Sequence, residues 1–104
     1  MNGPQLSVRR GVIADLVRLA ALEVTGVDRV GRAGPAWRRY LGGRAVSVRI
    51  REDHVVVRLW IVARPGQALV PLTAQVRSAV TAIVERLLGL EVGAVTIIVD
   101  GVGS

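Results

Sequence analysis

Few side chains in this sequence have the chemistry of a catalytic or metal site. The single histidine, His54, follows Glu52 and Asp53 directly. An imidazole beside two carboxylates is the one place where base or metal chemistry would find its donors together. A metal site needs three or four converging ligands, and a catalytic base needs a nucleophile and an orienting group around it. Here the three residues are contiguous at a turn signal between two strand-like segments, so they read as a solvated turn. No Cys is present, which removes thiolate ligands, a thiol nucleophile and a disulfide framework. The sequence contains no P-loop, no dinucleotide-binding glycine motif, no nucleophile elbow and no metalloprotease helix. The expectation is a protein with no catalytic residue, no metal and no cofactor, and an enzyme is the least favoured class.

The charge distribution says more. All 14 basic residues are Arg against 8 acidic ones, a net charge of +6. Preference for Arg over Lys fits a GC-rich coding sequence, but the placement is not uniform. Arg29, Arg32, Arg38, Arg39, Arg44, Arg49 and Arg51 stand in a window with no Asp or Glu. These seven charges exceed the +6 of the whole chain, so the remainder is slightly acidic. Such a block repels itself and favours an acidic partner or an anionic surface. Trp37 and Tyr40 lie inside it, and Arg with aromatics is a common interface composition. The partner-binding candidates are Arg32, Trp37, Arg38, Arg39, Tyr40, Arg44, Arg49, Arg51, Arg58 and Trp60. The competing expectation is that Trp37 and Tyr40 cap a core edge and the arginines are merely hydrated.

The elements that would position these residues follow from hydrophobic period. Residues 1–7 read as a flexible leader, with Gly3 and Pro4 breaking local order. Val12 to Val24 has Ile13, Leu16, Val17, Ala20 and Val24 on one helical face, with Gly26 as its left-handed stop. Residues 27–43 are Gly-rich and irregular, with a short helix expected over 35–41 and a short strand near Val27–Val30; another short strand is expected near Val8. Arg44–Arg51 and His54–Arg64 alternate with period two and form a hairpin about Glu52-Asp53. Pro71 to Leu88 is a second helix, its stripe Leu72, Val76, Ala79, Val80, Ile83 and Leu87, stopped by Gly89. Val92–Asp100 is a last strand. With 104 residues this makes one domain over residues 8–102. The fold class is α+β: a three- to four-stranded sheet in (β)αββαβ order, with two helices packed on one face. Two helices cover one face only. The other would carry Ser47, Arg49, Arg51, Val56, Arg58, Trp60, Val62, Thr96 and Ile98, a mixed Arg and apolar surface suited to a homo-oligomer contact. No signal peptide is evident, and the longest apolar runs are far too short to span a bilayer.

Two stretches resemble the alkaline shock protein (envelope stress response) family. Residues 8–27, VRRGVIADLVRLAALEVTGV, match its opening at Val12, Ile13, Leu16, Ala20, Ala21, Glu23, Val24, Gly26 and Val27. Residues 89–102, GLEVGAVTIIVDGV, match its closing strand. The resemblance implies a non-enzymatic cytoplasmic protein, self-associating, often held at the membrane through a membrane-anchored protein partner. It departs from the family in its basic charge and in Arg64-Pro65. An anionic membrane surface is a further partner class for the Arg block. The alternative is nucleic acid. Gly31-Arg32-Ala33-Gly34 resembles the GxxG loop between two helices of a KH domain, whose backbone clamps single strands, with Arg32, Arg38 and Arg39 suited to phosphate contact.

Overall fold

The computed structural model describes residues 3–32, 44–52 and 54–103, with the backbone alone for 3–8. The described elements are α1 (Gly3–Leu22), β1 (Val27–Val30), β2 (Val46–Arg51), β3 (His54–Ala63), α2 (Leu69–Leu88) and β4 (Glu91–Val102). The α+β class, the two helices and the four-stranded sheet accord with the sequence reading. The expected short helix over 35–41 lies outside the described residues.

β3 organises the sheet. β4 runs parallel to it along one edge. The other edge is shared end to end: β2 pairs antiparallel with residues 54–59 and β1 with residues 61–63. The seam falls at Trp60, whose N–H donates to the Ala45 carbonyl at 2.8 Å and whose carbonyl accepts from the Gly31 N–H at 2.9 Å. The chain therefore leaves the sheet edge after Gly31 and rejoins it at Ala45 against the same residue. β3 and β4 are joined through α2, the connection a parallel pair requires.

The core follows from the strand alternation. Val55, Val57, Leu59, Ile61 and Ala63 point to the helix side and are fully buried. Ile13, Val17, Ala20 and Ala21 of α1 and Leu72, Val76, Val80 and Val84 of α2 meet them there. Among the described residues the core contains no aromatic and no buried polar side chain, so it is held by dense aliphatic packing.

Four local expectations need correction. The leader is not loose from residue 3: α1 begins at Gly3. Pro4 falls in its first turn, where a missing N–H removes no helical bond. This also places Val8 in a helix, not a strand. Gly26 does not stop α1 in a left-handed conformation; it is absent from the positive-φ glycines. Its small size matters because a Cβ there would meet the Gln67 side-chain oxygen and lie 2.8 Å from Leu72 Cδ1. Leu87 is 57% exposed, while Val84, outside the expected stripe, is buried. The buried row on α2 advances in steps of four, about 40° further round each time. It winds past Leu87 towards Leu88, which packs against the core. Gly89 does close α2 as a left-handed cap, its N–H donating to the Glu85 carbonyl at 3.1 Å.

Candidate interaction surface

The strand register sets the site. Arg49 lies opposite Val56, Ser47 opposite Arg58, and Arg51 opposite His54. On the other side of β3, Val56 faces Ala94, Arg58 faces Thr96 and Trp60 faces Ile98. Directly opposed residues share a face, so these side chains form one surface, on the side away from both helices. Ser47, Arg49, Arg51, Arg58 and Thr96 are exposed, and Val56, Trp60 and Ile98 are partly buried. Both helices pack on the opposite face, so among the described residues no element crosses this one.

The surface is closed at one end. Val62 is fully buried yet stands apart from the main core. Its register partner across β1 is Arg29. The Arg32 guanidinium lies over the Trp60 ring, 3.8 Å from the centroid, a contact worth about 0.5–2 kcal/mol depending on desolvation. Stacked this way, Trp60 is a fixed flat anchor. Among the described residues, Nε of Arg29 and Nε of Arg32 are both buried without an acceptor.

Five of the ten sequence candidates, Arg32, Arg49, Arg51, Arg58 and Trp60, are thus brought onto one face. Arg44 is exposed at the point where the chain rejoins the sheet. Trp37, Arg38, Arg39 and Tyr40 lie outside the described residues. Arg29 was missed as a site residue. Its signal was its place in the short Val27–Val30 strand, whose pairing with β3 cannot be read from local period.

The structure removes the premise of the KH comparison. That loop joins helix to helix, whereas Gly31 directly follows β1 and is hydrogen-bonded to Trp60. Gly34 lies outside the described residues. His54 opens β3 and its ring packs over Gly93, Cδ2 lying 2.6 Å from where a Cβ would stand. Among the described residues, no three His, Cys, Asp or Glu side chains gather as metal ligands.

Comparison with known proteins agrees with this geometry. The model of the alkaline shock protein 23 family, described as having a cell envelope-related function, matches residues 2–104. The chain belongs to that family. Membership brings a cell envelope-related function and fits the opening and closing motifs that frame this fold. No curated protein matches the sequence. Among solved structures, a variant of the MamM CTD in its manganese form superposes with a TM-score of 0.63 at 15% identity, covering 88% of this chain and 96% of that one. At that identity the likeness is one of fold. No described helix of this family member is long and apolar enough to cross a membrane.

Proposed function

We propose that this chain is a non-enzymatic interaction module of the cell envelope: a cytoplasmic scaffold that self-associates and is held at the membrane by a protein partner. The observation that carries the reading is the outer face of the sheet, which no described element crosses: Arg58 stands on the central strand between Val56 and Trp60, Ile98 lies beside Trp60, and Arg49 and Arg51 line the β2 side. Arginines interleaved with apolar side chains and an aromatic anchor are a common composition of a protein contact. The sign of this charge selects an acidic partner surface and speeds encounter with it. The absence of Asp and Glu between Arg29 and Arg51 supports the same choice.

The test separates this face from bulk charge. The triple variant Arg49→Glu, Arg51→Glu, Arg58→Glu inverts the charge of this face. A second triple, Arg9→Glu, Arg18→Glu, Arg86→Glu, makes the same charge change at exposed helix positions. In cells, the sheet-face variant is expected to lose at least ten-fold of its envelope-bound fraction, with the helix variant close to wild type. Equal losses in both would mean that net charge, not this surface, governs the association.

A further inference from the structure

Among the described residues, β4 has no strand paired along the edge that faces away from β3. Trp60 turns its N–H and C=O toward β1 and β2, and Ala63 turns its carbonyl toward Gly103 at the end of β4. The odd-numbered residues of β3 therefore bond to β4. Val57, Leu59 and Ile61 have Val95, Ile97 and Val99 as register partners. In a parallel ladder the bonds run to the neighbours of the register partner. So Ala94, Thr96 and Ile98 bond to β3, while Val95, Ile97 and Val99 direct their backbone groups outward. Two contacts agree with this parity. Arg77 Nε on α2 donates to the Val95 carbonyl at 3.2 Å, and the Glu85 carboxylate accepts from the Val92 N–H at 3.2 Å. α2 thus caps the first half of the edge. Among the described residues nothing caps Ile97 or Val99. The segment 94–99 has no charge and no proline, and register shifts at Gly93 and at Asp100-Gly101 bracket it. An uncapped apolar edge of this kind is a template for strand addition.

We infer that the strand added is β4 of a second copy, antiparallel about a two-fold axis at Ile97. The sequence is self-complementary in that register. Ile97 faces Ile97 and Val95 faces Val99, the pairs whose groups point outward. Thr96 faces Ile98, Gly93 faces Gly101, and Asp100 faces Ala94. The two irregularities fall opposite each other, and no carboxylate meets a carboxylate, which an in-register parallel pair would impose at Asp100. The Val95 carbonyl is the acceptor that Val99 of the second copy needs, so Arg77 competes with association and acts as a latch on the edge. This rests on the self-associating part of the proposed function but uses the edge rather than the Trp60 face.

Sedimentation velocity of the full chain over a concentration series tests it. Ile97→Pro removes an outward N–H and part of a side chain packed against the core, and leaves the bonds to β3 in place; it is expected to lower the melting temperature somewhat and, in the folded protein, to weaken self-association at least ten-fold. Arg77→Ala removes the competing donor and is expected to tighten it several-fold. If Ile97→Pro does not fold, Arg77→Ala carries the test alone. Weaker or unchanged association in Arg77→Ala, or a wild-type chain that stays monomeric throughout, overturns the inference. If Trp60→Ala abolishes self-association while a folded Ile97→Pro leaves it intact, the edge is wrong and the outer-face reading stands.

Discussion

Replacing Leu59 with alanine lowers the free energy of unfolding by about 2–5 kcal/mol. Leu59 is fully buried at the middle of β3, with Val46 of β2 opposite it on one side and Ile97 of β4 on the other. Both helices converge on the face it fills. The surrounding core is mostly valine, whose branched side chains hold one rotamer and collapse poorly into a vacated space. A domain of this size has only about 5–15 kcal/mol of stability in total, so the loss is a large fraction of it. The comparison is Leu87→Ala, at a residue 57% exposed, where the change is about 0.5 kcal/mol or less. Urea unfolding of the two variants measures both. A cost below about 1 kcal/mol at Leu59 would mean that β3 does not bear the packing described here.

Trp60→Ala has the opposite signature, a small effect on folding and a large one on binding. Its ring is on the outer face, half-buried under Arg32 and beside Ile98. Truncating it loses the cation–π contact and frees the Arg32 side chain. In the folded monomer this costs about 1 kcal/mol. At an interface, a preorganised aromatic of this kind is typically worth about 2 kcal/mol or more, or roughly 30-fold in affinity. Trp60→Phe keeps an aromatic face under the guanidinium and is expected to recover most of the loss. Co-sedimentation with isolated envelope membranes measures all three proteins. Binding of Trp60→Ala within two-fold of wild type would remove Trp60 as the anchor.

Much of this architecture is legible in the sequence, for identifiable reasons. Alternation in residues 46–51 and 54–63 sorts side chains to two faces without reference to any other element, so Arg49, Arg51, Arg58 and Trp60 could be assigned to one surface together. The hairpin turn between them follows from spacing; Glu52 accepts a left-handed conformation there, φ 53°. Gly89 announces its cap because a left-handed residue at a helix end favours glycine. What was not legible depends on distant parts of the chain. Nothing near Gly26 reveals that Leu72 and Gln67 will press on it. Nothing near Leu87 reveals that the contact line on α2 has wound past it. The clearest case is Trp60, whose backbone joins the end of β1 to the start of β2. Local period shows two separate strands there, and only the folded sheet shows that they share one edge of β3 and bring Arg32 onto the same face as Arg49.

Site-directed photocrosslinking in living cells reads which face of the domain meets envelope proteins. A photoreactive amino acid replaces Arg49 or Arg58 on the outer face, or Leu19 or Val70, which are exposed on the helices. Discrete envelope-protein adducts are expected from positions 49 and 58 and few from 19 and 70. Adducts concentrated at 19 and 70, with positions 49 and 58 silent, would mean that the helix side, not the outer sheet face, is the interaction surface.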